Sequence, residues 1–353
     1  MKILAINPGS TSTKIGVFHD EGLVMHNTIR HTPEDLSHFQ DVIEQFDYRR
    51  QLVLDTLSEE HIPFDFDVIV GRGGLLKPIE GGVYEINEQL LSETRNARYR
   101  HASNLGSLIA ADLASRLPHC HALIADPGVV DELEDIARIN GSPLMPRFTI
   151  WHALNQRAIA RRFAKEHNQR YEDLNLIVCH LGGGISLAAH KKGRAIDASN
   201  AMTGEGPFTP ERSGTLPALP LIDLCFSGKY TQEQIIKYVT SQSGIMAHLG
   251  TNDVPTVLNR IEQGDKKAKL VLDAMIYQIA RSVGGLATVL YGKVDAILFT
   301  GGVANSTYIT DGLKERVSFI APVYIYPGED ELTALAMNAL SAMRGELEIK
   351  VYR

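Results

Sequence analysis

Two passages half a chain apart repeat one pattern: an apolar strand, a turn of small polar residues and a second strand. In the first, residues 2–6 read as a strand, Asn7-Pro8-Gly9-Ser10-Thr11-Ser12-Thr13 as a hydroxyl-rich turn, and residues 14–19 as the return strand. Residues 176–179, the run His180-Leu181-Gly182-Gly183-Gly184 and residues 185–189 repeat it. An internal duplication leaves this spacing, each copy founding its own domain, and 353 residues have room for two. Further strands are expected at residues 67–70, ending in Gly71-Arg72-Gly73-Gly74, at residues 296–299, ending in Thr300-Gly301-Gly302, and at residues 347–352. Helices are expected over residues 105–117, 151–164, 268–290 and 331–344. No low-complexity linker separates the halves. The division is placed near residue 145, with domains over 1–145 and 146–328 and the segment 329–353 returning to the first.

Composition narrows the classes of partner. A net charge of −7 gives no reason to expect a nucleic acid or an anionic membrane, so an anionic ligand needs a local site. Cys120, Cys179 and Cys225 are widely spaced with no CxxC, which suggests neither a disulfide framework nor a cysteine zinc site and fits a reducing cytoplasm. The apolar start stops at Asn7-Pro8-Gly9, too short for a signal-peptide core, and no membrane span is expected.

Three glycine turns between strands can bring backbone N–H groups close to phosphate, because glycine lacks a Cβ. They are Asn7 to Lys14, His180 to Gly184, and Thr300-Gly301-Gly302. None has the GxxxxGK[ST] or GxGxxG form, which disfavours a P-loop or Rossmann site. Arg72 and Arg212 stand in glycine-rich or loop-like passages, where an arginine either grips an anion with two hydrogen bonds or forms a surface salt bridge. Asp126, after another strand, could hold Mg²⁺ or cap a turn. His152 reads equally as a core histidine. There is no HExxH and no GxSxG, so zinc and serine-hydrolase readings fall away.

In this order the passages Asn7 to Lys14, Cys179 to Gly184, Met202-Thr203-Gly204 through Arg212-Ser213-Gly214, and Phe299 to Gly302 resemble the acetate kinase family over almost the whole chain. That family belongs to the superfamily of sugar kinases, heat-shock 70 proteins and actin. Val70 to Pro78 and Tyr326 to Glu331 look like its butanoate-using branch. The resemblance implies an α/β fold of two duplicated actin/ribonuclease-H-like domains with a nucleotide cleft between them. It implies reversible transfer from ATP to butanoate, giving ADP and butanoyl phosphate, with Mg²⁺. Arg72, His152 and Arg212 would stabilise the transition state and Asp126 would organise the metal. Asn7 would lie near metal and phosphates, with Ser10, Ser12 and Lys14 in the first phosphate turn and His180, Gly182, Gly183 and Gly184 in the second. Gly301 and Gly302 would back the adenosine. The family's paired glutamates align with Asp330 and Glu331, with the register favouring Asp330. A homo-oligomer, at least a dimer, is also implied.

The chain departs from acetate kinases in being shorter, in keeping only Arg72-Gly73-Gly74 of their His-Arg-x-x-His-Gly-Gly run, and in carrying Pro8 where they carry serine. Gly74 and Gly204 stand where those enzymes have a branched residue and a proline, and Trp151 replaces a phenylalanine. These three are expected to shape a wider acyl pocket, discriminating modestly among short acids because each buried methylene is worth only about 0.8 kcal/mol. The alternatives are a propionate or branched-chain acid kinase, or an ATPase module of the actin type with no small acceptor.

Overall fold

In the computed structural model, which describes residues 1–97 and 100–353, each repeated passage opens a β-sheet. The chain divides into two units. The first contains Met1–Val130, Ala153–Asn155 and Asp330–Arg353; the second contains Asp131–His152 and Gln156–Glu329.

The first unit holds β1 (Lys2–Pro8), β2 (Ser12–His19), β3 (Gly22–Arg30), β4 (Val68–Arg72), β5 (Val83–Glu85), β6 (His121–Ala125) and β12 (Ile349–Val351). Their order is β12-β5-β6-β4-β1-β2-β3. The second unit holds β7 (Asn175–Leu181), β8 (Ile185–Lys191), β9 (Arg194–Ala198), β10 (Ala296–Gly301) and β11 (Val323–Pro327), ordered β11-β10-β7-β8-β9. The duplication is explicit in the pairing. β1, β2 and β3 form an antiparallel meander with β4 and β6 added in parallel on the other side of β1. β7, β8 and β9 form the same meander, with β10 and β11 in the places of β4 and β6.

Side-chain alternation along the strands builds a core on each face of the second sheet. Ile177, Cys179 and Leu181 of β7, with Ile297 and Phe299 of β10, share a core with the helices Lys266–Val289 and Thr307–Val317. Leu176, Val178, Ala296 and Leu298 meet Ala160, Phe163 and Ala164 of the helix Ala153–Glu166 on the other face. The helix Lys266–Val289 is long and apolar enough, by length and composition, to cross a membrane. Here its Ala268, Leu272, Met275, Ile279 and Val283, at helical spacing, are buried in the unit's core.

In the first unit, Leu4, Ile6, Ile15, Val17 and Ile69 pack against the helices Phe46–Glu59 and Asn104–Ala114. The fit to the second of these is backbone on backbone. A Cβ added at Gly71 would stand 2.1 Å from the Gly106 carbonyl oxygen, and one at Gly106 would stand 2.2 Å from that of Arg72. The helix Glu331–Met343 lies against β1 and β2, and its Leu332 packs where a side chain on Gly16 would stand, with Cδ1 3.4 Å from a Cβ placed there.

The expected elements recur with one shift that matters. β1 runs on to Pro8 and β2 begins at Ser12, so the first turn shrinks to residues 9–11, closed by Gly9 N–H donating to Ser12 O at 2.7 Å. Asn7 and Lys14 face each other as paired strand residues.

Candidate functional site

In the first unit the site residues come from the carboxyl ends of three parallel strands, where ligands gather in open α/β sheets. Asn7 is the penultimate residue of β1, Arg72 the last of β4, and Asp126 follows β6. The carboxylate of Glu331, buried at the start of its helix, draws Asn7 and Arg72 together. Its Oε2 accepts from Asn7 Nδ2 at 2.5 Å and from Arg72 Nη1 at 2.8 Å, while Arg72 Nη1 lies 3.3 Å from Asn7 Oδ1. Asp330, favoured by register in the sequence, does something else: it is exposed, and Oδ1 accepts from Thr333 N–H at 3.1 Å as the helix cap. As the N-cap, Asp330 turns its carboxylate back onto the first helical turn, while Glu331, the first helical residue, faces the strand ends.

Asp126 is buried and held at a φ of +39°, an uncommon place for a side-chain-bearing residue. A reciprocal pair fixes it: Asp126 Oδ1 accepts from Gly82 N–H at 2.8 Å, and Asp126 N–H donates to Gly82 O at 2.9 Å. Mg²⁺ takes hard oxygen ligands and commonly only one or two protein carboxylates besides phosphate and water. Glu331 and Asp126 fit that chemistry. No group of three or more His, Cys, Asp or Glu able to hold a metal occurs among the described residues.

The narrow first turn, carrying Ser10 and followed by Ser12 at the start of β2, rests on a residue that sequence reading missed. Arg49 is fully buried on the helix Phe46–Glu59, and its guanidinium donates to Gly9 O, Ser12 O, Ser10 O, Thr13 Oγ1 and Gln45 Oε1. These acceptors are all neutral, and no carboxylate pairs with Arg49 among the described residues. Burial pulls its pKa down to about 10. Arg49, Val53 and Thr56 are buried at helical spacing, so an arginine on the apolar face of this helix was the available signal.

In the second unit His152 and His180 stack face to face, with ring centroids 3.8 Å apart and planes at 8°. His180, in β7 and buried, has Nε2 3.0 Å from Glu329 Oε1, a partner unassigned from sequence. Arg212 approaches the glycine turn so closely that a Cβ on Gly184 would stand 2.6 Å from Arg212 Nη1 and 3.3 Å from His152 Cε1. Arg212 Nη1 donates to Ala201 O at 2.7 Å, and Thr209 pins the loop by donating from Oγ1 to Gly183 O at 2.7 Å. Burial lowers the Arg212 pKa, with the Glu211 carboxylate opposing. Beside this cluster a cavity of about 530 Å³ is lined by Gly182, Gly183, Gly302, Asn305, Ser306 and Glu329, among others. Gly301 carries the close approach that shapes it: φ is +92°, and a Cβ there would lie 2.3 Å from Leu181 O.

The expected acyl-pocket residues behave differently. The space beside Gly74 is filled by Asn104: a Cβ would stand 2.7 Å from Asn104 Cα and 2.8 Å from its Oδ1, which already accepts from Leu75 N–H at 3.0 Å. Glycine is needed at 74 for packing against Asn104. Gly204 has φ +89°, so its backbone alone calls for glycine. Trp151 is buried edge-on to His190, with centroids 5.7 Å apart.

Two sheets of one strand order, each opening on a polar turn, define a duplicated actin/ribonuclease-H-like α/β fold. The acetate kinase of Porphyromonas gingivalis shares it, with a TM-score of 0.78 at 19% identity over 97% of this chain and 99% of that one. The model of the acetokinase family matches residues 147–322. The chain is 61% identical to the "probable butyrate kinase" of Bacteroides thetaiotaomicron over 353 residues, covering all of both chains. It is 49% identical over 354 residues to butyrate kinase 2 of Clostridium acetobutylicum, covering 100% of this chain and 99% of that one. The chain belongs to the acetokinase family and is a phosphotransferase of the carboxylate kinase class.

Proposed function

We propose that the protein is a butyrate kinase, transferring the γ-phosphoryl group of ATP to butanoate in a reversible in-line reaction. The choice of acid rests on full-length relatives bearing that name. The observation that carries the chemistry is the group His152, His180 and Arg212 gathered on the glycine turn beside a cavity within the size range of small-molecule sites.

A carboxylate with an ordinary pKa near 4.3 is ionised at pH 7, so the nucleophile needs no general base. The barrier lies in bringing an anion to an anionic phosphoryl group, and positioning and positive charge lower it. Arg212 and Arg72 are assigned to the equatorial oxygens, His152 donates a hydrogen bond, and the uncompensated charge of Arg49 lies beneath the first phosphate turn. Lys14, opposite Asn7, adds a cation there. Gly182, Gly183 and Gly302 line the space for the nucleotide. Mg²⁺, when bound, would be held through Glu331 and Asp126 with Asn7 nearby, and supplies charge neutralisation on the phosphates.

The test is an ATP-dependent hydroxamate assay over acids of two to five carbons. Trapped acyl phosphate with butanoate preferred is the expected result. Slow ATP hydrolysis indifferent to every acid would overturn the reading. A preference for propionate or a branched acid would keep the reaction and change the substrate.

Two further assignments belong to this proposal. The compartment is the cytoplasm, in keeping with three free cysteines. The protein is a homo-oligomer, because the helices Ala218–Cys225 and Gln232–Ser241 bury no residue of their own yet expose Leu219, Ile222 and Ile236, with Phe226 exposed at the cap of the first.

A further inference from the structure

We propose that a buried relay of four side chains, Tyr171, His190, Gln156 and Ser186, holds His152 with its proton on Nε2, making it a fixed hydrogen-bond donor. The value of that donor for phosphoryl transfer rests on the role assigned to His152 above; the relay itself stands on hydrogen-bond geometry alone.

The bond directions follow from one acceptor and from the burial of His190. The backbone carbonyl of Ser186 can only accept, and Gln156 Nε2 lies 3.0 Å from it, which orients the amide. The same Nε2 lies 2.9 Å from Ser186 Oγ and donates its second hydrogen there. The amide oxygen then faces His190 Nε2 at 3.2 Å, so His190 carries a proton on Nε2. His190 is 0% exposed, which favours the uncharged ring, so its Nδ1 accepts from the Tyr171 hydroxyl at 2.6 Å. At the other end Ser186 Oγ also receives His152 N–H at 3.3 Å. With both lone pairs of Oγ engaged, its own hydrogen goes to His152 Nδ1, 2.8 Å away. An Nδ1–H on His152 would meet an oxygen with no lone pair to offer.

The surroundings of His152 work the same way. Its ring stacks at 3.8 Å on that of His180, whose other neighbour is Glu329, and the Arg212 guanidinium lies across the Gly184 position. A second proton on His152 would put positive charge against Arg212, with little water to screen it. Ser186, Gln156 and His190 are each 0% exposed, and Tyr171 is 4% exposed under the Arg157 guanidinium, 5.9 Å from its ring centre. A neutral donor suits a group that must hydrogen-bond a phosphoryl oxygen without titrating. These four are positioning residues, in the way that outer partners orient metal-bound histidines.

The experiment is long-range ¹H–¹⁵N correlation on full-length protein labelled at histidine nitrogen, with the His152 signals identified by their loss in His152→Asn. At pH 7 the wild type is expected to show His152 protonated on Nε2 and bare at Nδ1. An Nδ1–H tautomer or an imidazolium overturns the relay. Ser186→Ala and Gln156→Leu are expected to mix the tautomers and lower kcat about tenfold or more, with KM for ATP little changed. Ser186→Thr, which keeps the hydroxyl, is expected to restore the tautomer. Ser186→Ala with both the wild-type tautomer and wild-type kcat also overturns the proposal. Should His152→Asn keep full turnover while the wild-type spectrum shows the Nε2–H form, the relay stands and the catalytic role given to His152 falls.

Discussion

At the scale of single residues, charge decides. Arg72 shares a carboxylate with Asn7 in the first unit, and Arg212 sits on the glycine turn of the second. A cation on the transferring group can be worth about 10³-fold. Arg72→Ala and Arg212→Ala are each expected to cut kcat by about that factor and to change KM for ATP far less, read in steady-state kinetics. His31 tests a different charge. Burial and the nearby Arg49 push its pKa from 6.5 to about 4, so the folded protein holds it neutral where the unfolded chain takes up a proton. Its contribution to stability is whole above pH 6.5 and is lost as pH falls towards 4, by about 3 kcal/mol at most. Denaturant titrations between these pH values should show the fall, and His31→Gln should flatten it.

Some residue roles were open to sequence reading and some were not. Asn7, Arg72 and Arg212 stand in runs punctuated by Gly, Pro and small polar residues, which mark turns whatever the tertiary context. The packing demand on Gly74 was not legible because it comes from Asn104, 30 positions away in the chain and in contact only after folding. Glu331 and Asp330 were not separable because the exact start of the helix, which makes Asp330 the cap and Glu331 the first helical residue, is not fixed by the local sequence.

At the scale of elements, the close seat of the helix Asn104–Ala114 on β4 sets where Arg72 ends up. Gly106→Ala would ordinarily help a helix by about 1 kcal/mol. Here the added methyl meets Arg72 O at 2.2 Å. Overpacking of this kind costs about 1–3 kcal/mol, so the variant is expected to melt lower and, by displacing the end of β4, to lose turnover. Gly74→Val collides with Asn104 in the same helix. It is expected to lower the melting temperature while leaving the ratio of butanoate to acetate rates in surviving enzyme unchanged. A changed ratio in a stable Gly74→Val enzyme would restore the acyl-pocket reading. The strands of the two repeated passages, β4, β10 and the helices Asn104–Ala114, Ala153–Glu166, Lys266–Val289 and Glu331–Met343 were legible from apolar runs and helical spacing, whereas β3, β9, β11 and the helix Phe46–Glu59 were not read. The short β5 and the capping turns were not, because their residues carry no strong period.

At the scale of the whole molecule, the repeated passages did announce the architecture. Two meanders, each extended by two parallel strands, are what a duplicated strand-turn-strand pattern builds. The arginine that supports the first turn escaped notice because it lies on the helix Phe46–Glu59, which the sequence reading did not identify. The exposed apolar side chains of the helices Ala218–Cys225 and Gln232–Ser241 predict self-association. Phe226, 86% exposed, is the residue to charge. Sedimentation equilibrium is expected to give at least a dimer for the wild type and a lighter species for Phe226→Glu; equal masses for the two would place the interface elsewhere.

The first unit is built from both sides of the second in the chain: residues 1–130 and the segment from Asp330 onward. During synthesis β1 and β2 therefore leave the ribosome long before the helix Glu331–Met343 that covers them, and β5 waits as long for β12. The nascent chain must carry an uncovered apolar sheet face while the whole second unit is translated. Glu331, the carboxylate that gathers Asn7 and Arg72, is delivered with that late segment.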